Sequence, residues 1–256
     1  MKFDELDEKM RVYETAHDFC APPGMHMVAR IDGRGFTRLT KELHQFEAPF
    51  DIRFRDHMIG TVAHLMDCGF RVIYGYTQSD EISLLFHLAE STFGRKTRKF
   101  NSVLAGEASA KFSHLLGDVG AFDCRISLLP NERLVVDYFR WRNEDANRNA
   151  LNGHCYWALR ERGESAGAAT KILSGMSTAG KNELLFREKQ TNFNELPNWQ
   201  KRGTGLYWES FEKAGRNPKT GKSTNAIRRR IKVDLELPMK EQYSVFVQDL
   251  LRRNSD

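Results

Sequence analysis

Tyr74-Gly75-Tyr76-Thr77-Gln78-Ser79-Asp80-Glu81-Ile82-Ser83-Leu84-Leu85-Phe86 is the stretch that decides the fold. Phe70 to Tyr76 reads as an apolar strand, Thr77-Gln78-Ser79 as a turn, and Ile82 to Leu88 as the returning strand. Upstream, Asp51 to Met66 has helical spacing, with Phe54, Met58, Val62 and Leu65 on one face. Downstream, Arg98 to Leu116 is a second helix with Phe100, Val103, Leu104, Ala108 and Phe112 turned inward. Apolar strands at Met25 to Ile31 and Arg125 to Leu129 bracket this core. The order is β-α-β-β-α-β, the split-βαβ unit of an α+β, ferredoxin-like fold. A charged amphipathic helix, Phe3 to Phe19, precedes it.

That topology brings distant residues together. In the split-βαβ unit the first and third strands are antiparallel neighbours, so the end of one lies beside the start of the other. Asp32 closes the first strand, and Asp80 and Glu81 open the third. Carboxylates that converge in this way repel unless a cation neutralises them. Asp32, Asp80 and Glu81 are thus a candidate oxygen-only site for Mg²⁺, which takes one or two carboxylates and fills its other positions with water and substrate phosphates. Two such ions suit nucleotidyl transfer. Asp32-Gly33-Arg34-Gly35-Phe36-Thr37 adds two glycines, which let backbone N–H groups approach a triphosphate. Thr37 and Ser79 can donate hydroxyl hydrogen bonds. A plain strand-to-helix turn with surface acids is the competing reading.

A triphosphate needs cations opposite it. Arg95, Lys96, Arg98 and Lys99 sit at the start of the second helix, where the dipole also favours anions. Lys181, in Gly180-Lys181-Asn182-Glu183, and Lys201-Arg202 are further candidates. The scattered histidines have no metal-ligand spacing, and Cys20 and Cys155 have no evident histidine partner, which leaves a thiol nucleophile unsupported.

The chain has 256 residues, 40% hydrophobic and 29% charged, and a net charge of +5. No apolar run approaches the roughly 20 residues that span a bilayer. The acidic N-terminus, Met1 to Asp7, shows no signal peptide. Four isolated cysteines, at Cys20, Cys68, Cys124 and Cys155, contain no CxxC pair and fit a reducing, cytoplasmic setting. Residues 1–186 carry 24 basic and 25 acidic residues, whereas residues 187–256 carry 15 and 9. The positive excess peaks between Lys201 and Lys232, where Arg228, Arg229 and Arg230 form one run. Lys201, Arg202 and this run are candidate contacts to an RNA backbone; a solvated face is the alternative. Trp141, Trp157, Trp199 and Trp208 stand among basic residues, a pattern that suits either nucleic-acid stacking or core packing. Alternation over Ile227 to Leu237 suits a strand. Ala214 to Thr224 suits a loop or hairpin tip, and Met239 to Leu251 a helix on the core or on another subunit.

Arg30-Ile31-Asp32-Gly33-Arg34-Gly35-Phe36, Gln78-Ser79-Asp80-Glu81, Lys181-Asn182-Glu183-Leu184-Leu185-Phe186, Asn194-Glu195-Leu196-Pro197 and Arg202-Gly203-Thr204 occur in an order that resembles the tRNA-histidine guanylyltransferases. The similarity runs to about Trp208 and is greatest to the bacterial and archaeal guanylyltransferase-like proteins, 3′-to-5′ RNA polymerases. The resemblance implies a polymerase-like palm, with two Mg²⁺ ions held by Asp32, the Gly33 carbonyl and Asp80. It also implies nucleotide contacts from Asp32, Gly33, Arg34, Gly35, Phe36, Thr37, Ser79 and Asp80. The implied reaction activates a tRNA 5′-monophosphate with ATP or GTP, and the 3′-hydroxyl of an incoming nucleotide then attacks. Such chains usually form homotetramers.

Two departures stand out. The family's Phe-x-Lys-Pro becomes Phe46-Glu47-Ala48-Pro49, and a His-Ile-Asn-Asn-Leu-Tyr-Asn motif becomes Asn147-Arg148-Asn149-Ala150-Leu151-Asn152-Gly153. They favour template-dependent repair of tRNA 5′ ends over dedicated G addition to histidine tRNA. A palm-type nucleotide cyclase and a non-catalytic RNA-binding module are the other function classes. The expected organisation is a palm-like catalytic domain with the N-terminal helix over residues 1–135. A helical and basic region over residues 136–256 completes the nucleotide and tRNA sites.

Overall fold

A computed structural model describes residues 2–216 and 223–254. Six strands form one antiparallel sheet in the order β4-β1-β3-β2-β5-β6. They are β1 (His26–Arg34), β2 (Val72–Gln78), β3 (Glu81–Phe86), β4 (Ala121–Leu129), β5 (Thr204–Arg216) and β6 (Ser223–Asp234). The first four, in the order 4-1-3-2, are the expected ferredoxin-like unit. β5 then pairs with β2, Tyr74 opposite Tyr207, so the sheet continues unbroken across residue 135.

The helices are α1 (Phe3–Thr15), the single turn α2 (Phe36–Arg38), α3 (Ile52–Asp67), α4 (Thr97–Leu116), α5 (Glu132–Glu161), α6 (Ala166–Leu173), α7 (Thr178–Lys189), α8 (Asn198–Arg202) and α9 (Lys240–Arg253). Their starts are legible in the caps. Asp51 accepts from the N–H of Arg53 at 2.7 Å, Asn131 from Leu134 at 3.0 Å, and Ser165 and Ser177 from Ala168 and Gly180 at 3.1 Å. Among the described residues no helix is long and apolar enough to cross a membrane.

Strand alternation sorts the sheet into two faces. Met27, Ala29, Ile31, Ile82, Leu84 and Phe86 meet α3 and α4, where Phe100, Leu104, Ala108 and Phe112 are buried. Val28, Leu85, Tyr74 and Tyr76 point the other way, onto α5 and α9. Each large apolar side chain removed from water there stabilises the fold by roughly 1.5–3 kcal/mol. α3 lies so close to the sheet that a Cβ on Gly75 would stand 2.5 Å from Val62. A third cluster joins the second half of α5 to α6, α7 and Phe193.

Several boundaries differ from expectation. β1 does not stop at Ile31, because Asp32, Gly33 and Arg34 pair with Asp123, Phe122 and Ala121 of a β4 that begins four residues earlier than expected. The turn therefore starts at Gly35, whose φ of +72° is left-handed. β2 runs through Gln78, which leaves Ser79 and Asp80 as the turn. The N-terminal helix stops at Thr15 and buries none of its residues. The helix expected at Met239 covers the core, with Tyr243, Val247, Leu250 and Leu251 buried. The strand expected from Ile227 is β6. Most of the tip expected over Ala214 to Thr224 lies outside the described residues.

Candidate active site

Antiparallel pairing of β1 with β3 sets Asp32 opposite Glu81. The turn then folds Asp80 back, and the N–H of Gly33 donates to the Asp80 carbonyl at 3.1 Å. Gly33 is required here: a Cβ would lie 2.5 Å from the Phe36 ring and 2.9 Å from the Asp80 Cβ. Ser79 has a φ of +53° and donates its hydroxyl to the Asp80 carboxylate at 3.0 Å. Asp32, Gly33, Arg34, Gly35, Phe36, Thr37, Ser79, Asp80 and Glu81 therefore share one end of the sheet. The Phe36 ring is buried against Phe54, Phe112 and Phe122, so it anchors the segment.

The three carboxylates differ in their surroundings. Glu81 is clasped by two guanidiniums, those of Arg30 and Arg142. Arg142 comes from α5, is itself buried, and also reaches Asp145 at 3.3 Å. Among the described residues the one cation paired with Asp32 is Arg30, at 3.9 Å. Burial pushes the Asp80 carboxyl up, and the nearby Asp32 and Glu81 add to the rise. A cation placed between Asp32 and Asp80 would relieve that cost. Two carboxylates that no guanidinium among the described residues clasps closely, with backbone carbonyls, form a hard, oxygen-only set that fits Mg²⁺, and Asp32, Gly33 and Asp80 are the residues to hold it. Among the described residues no three His, Cys, Asp or Glu side chains come together as a metal site, so Glu81, held by Arg30 and Arg142, does not join Asp32 and Asp80 as the third carboxylate expected from the sequence.

A cavity of about 430 Å³ opens beside this end of the sheet. Thr37, Ser79 and Asp80 line one side, and Phe46, Asp51 and Trp157 line the other. It combines aromatic walls with a carboxylate mouth, as a nucleotide pocket requires. Residues 39–43 form a π-helical turn beside it. Lys41, in that turn, lies over the Trp157 ring at 5.5 Å and donates to the Glu47 carbonyl at 3.0 Å. Burial holds the Lys41 ammonium below its ordinary pKa. The sequence signals singled out neither Lys41, Asp51, Arg30 nor Arg142 as site residues. The π turn that directs Lys41 and the 61-residue separation of Arg142 from Glu81 are tertiary features.

The expected cations are not gathered at this edge. β3 leads away from Asp80, so Arg95, Lys96 and Lys99 stand at the opposite end of the sheet. Arg95 is buried and donates to the carbonyls of Met25, Glu90 and Ala21 at 2.7, 2.8 and 3.0 Å. Lys96 pairs with Asp18 at 2.8 Å, Arg98 pairs with the same carboxylate, and Lys99 lies over Phe93. Within one chain this run does not face the carboxylates. Lys181 and Asn182 lie on α7, outside the cavity wall, and Asn182 donates to the Thr178 carbonyl at 2.8 Å.

Lys201 is also turned inward. It is buried, donates to the Asn194 carbonyl at 2.6 Å, and has its pKa lowered by burial. Arg202 donates to the Leu237 carbonyl at 3.0 Å. Both hold α8 against the core rather than face an RNA. Arg228, Arg229 and Arg230 are exposed on β6. Trp199 is buried, Trp208 is half-buried, and Trp141 is exposed with Arg142 over its ring. Burial pushes the Cys155 thiol up to about 11, which argues further against a thiol nucleophile.

Comparison with known proteins gives a consistent family. A model described as tRNAHis guanylyltransferase matches residues 7–130, and one described as the Thg1 C terminal domain matches residues 133–250. A probable tRNA(His) guanylyltransferase of Mus musculus is 32% identical over 215 residues, 80% of this chain and 71% of that protein. The tRNA(His) guanylyltransferase of Neurospora crassa is 31% identical over 197 residues, 72% of this chain and 67% of that protein. The solved structure of a bacterial tRNA(His) guanylyltransferase-like protein in complex with ATP superposes with a TM-score of 0.77 at 28% identity, covering 96% of this chain and 98% of that one. One in complex with GTP gives 0.73 at 28% identity, covering 97% and 99%.

Proposed function

The chain belongs to the tRNAHis guanylyltransferase family, and on that premise we propose that it adds nucleotides in the 3′-to-5′ direction to the 5′ end of tRNA. The observation that carries this reading is the pair of carboxylates, Asp32 and Asp80, beside the 430 Å³ cavity; among the described residues Asp80 has no cation on it and Asp32 has Arg30 no nearer than 3.9 Å. Glu81, by contrast, is neutralised by Arg30 and Arg142. Asp32, the Gly33 carbonyl and Asp80 would hold two magnesium ions. Bound there, the ions supply charge neutralisation of a triphosphate and polarise attacking and leaving oxygens. The chain's own residues then bind and orient. The Ser79 hydroxyl fixes the Asp80 carboxylate, the aromatic walls take a base, and the backbone of Gly33 to Thr37 borders the phosphates. The Arg30–Glu81–Arg142 cluster positions β3 against β1.

The bacterial relatives were solved with ATP and with GTP, which supports nucleoside triphosphates as substrates. Template-dependent repair of truncated 5′ ends is the finer reading, supported by the departures at Ala48 and over residues 147–153. Arg228, Arg229 and Arg230 would contact the tRNA backbone, and a homotetramer is the expected assembly. The test uses several 5′-truncated, 5′-phosphorylated tRNAs with ATP and all four nucleotides, followed by sequencing of the extended ends. Repair predicts additions complementary to the opposing 3′ strand in every tRNA. Addition of G to histidine tRNA alone would replace repair with the dedicated activity named for the relatives.

A further inference from the structure

The end of the sheet away from Asp32 and Asp80 carries a second cavity, of about 930 Å³. Three guanidiniums line it from separate elements: Arg71 just ahead of β2, Arg229 on β6, and Arg253 in the last turn of α9. All three are exposed, and among the described residues none forms an ion pair. Arg30 and Arg230, elsewhere on the sheet, and Arg142 on α5 all do. Arg229 is held in place by the Trp208 ring, 5.1 Å beneath it, and the Trp208 indole N–H is anchored on the Val72 carbonyl at 3.0 Å. His87 accepts from the Ala89 N–H at 3.0 Å through Nδ1, which assigns the proton to Nε2 and makes it a donor.

The backbone contributes as well. Pairing of β5 with β2 ends at Tyr207 and Tyr74, so the edge of β5 at Glu209 and Ser210 borders the cavity without a β2 partner. The rim also carries Asp67 and Glu209, but Glu209 is taken by Arg230 at 2.6 Å. Asp67 alone stands against the three guanidiniums, which leaves the rim net positive, and a phosphate oxygen would relieve their repulsion with bidentate hydrogen bonds. Arg228 and Arg230 alternate to the opposite face of β6, and Arg230 is paired with Glu209, so the cavity cations stand apart from that pair.

We propose that this cavity, framed by Arg71, Arg229 and Arg253, is a second RNA site that grips the phosphate backbone of the tRNA body. The inference rests on the tRNA-directed function proposed above. The length of β3, Glu81 to Phe86, separates it from the carboxylates by about 17 Å, so the two sites hold different parts of one long ligand.

The test is Arg71→Gln combined with Arg253→Gln in the full chain, with labelled 5′-truncated tRNA titrated across a salt series. The dissociation constant should rise roughly tenfold and the log–log salt slope should fall by about two. Arg71→Lys with Arg253→Lys keeps both charges but not the bidentate fork, and should restore the salt slope with part of the affinity, which separates charge from folding. Unchanged affinity and slope in the Gln pair would overturn the proposal. So would loss of ATP affinity with tRNA affinity intact, which marks a site for small anions. A wild-type protein that binds no tRNA would overturn the proposed function together with this site, whereas binding indifferent to the Gln pair overturns this site alone.

Discussion

Arg142 shows how one side chain organises the carboxylates. It is 6% exposed, it sits on α5, and it ties Glu81 of β3 to Asp145 of its own helix. Removing it leaves Glu81 to Arg30 alone and Asp145 to Arg148. Arg142→Ala should therefore cost about 2–4 kcal/mol of stability, read as a lower midpoint in urea unfolding. Arg142→Met retains most of the packed volume and should cost less, and an Ala variant as stable as wild type would contradict the role. Asp32 and Asp80 were legible from the sequence because strand pairing alone brings them together. Arg142, Arg30 and Lys41 were not, because their roles depend on where α5 and the π turn deliver a side chain. Arg95 shows the opposite error: a cation at a helix start reads as an anion ligand, yet five backbone carbonyls take up its guanidinium.

At the scale of elements, the β-α-β-β-α-β core was readable because period-2 and period-3.6 patterns alternate cleanly between Met25 and Leu129. The ends of β1 and β4 were less so. Asp32-Gly33-Arg34 looks like a turn in isolation and becomes strand because β4 pairs with it to the last residue. The hairpin of β5 and β6 was only half visible, since Thr204 to Arg216 mixes glycine, aromatic and charged residues. Its alternation sends Trp208 and Arg229 to one face and Tyr207, Arg230 and Arg228 to the other. Arg228→Gln with Arg230→Gln, on the face opposite Arg229, should weaken tRNA binding and flatten its salt dependence by one to two in slope, roughly one for each phosphate no longer neutralised. An unaltered slope would make this face merely solvated.

For the whole molecule, the charge asymmetry of the sequence becomes spatial. The near-neutral first 186 residues supply the carboxylate edge, and the basic remainder adds β5, β6 and α9 to the same sheet. Burial also leaves a global signature in pH. His26, His57 and His154 all have their pKa lowered by burial. Below about pH 6.5, the ordinary imidazole value, the unfolded chain binds more protons than the folded one, so stability falls as pH falls. Urea midpoints measured at pH 7.5 and 5.5 should drop accordingly, and His26→Gln with His154→Gln should flatten the drop. An equally steep drop in that variant would assign it to other groups.

The central claim is that Asp32 and Asp80 are the carboxylates of a nucleotidyl transfer to the 5′ end of tRNA. Its most direct measurement is single-turnover addition to a 5′-phosphorylated, 5′-truncated tRNA by wild type, Asp32→Asn and Asp80→Asn, with tRNA binding measured alongside. The account predicts extension by wild type, a loss of at least about 10³-fold in both variants, and tRNA affinity within a fewfold of wild type. Extension by Asp80→Asn at the wild-type rate would contradict it.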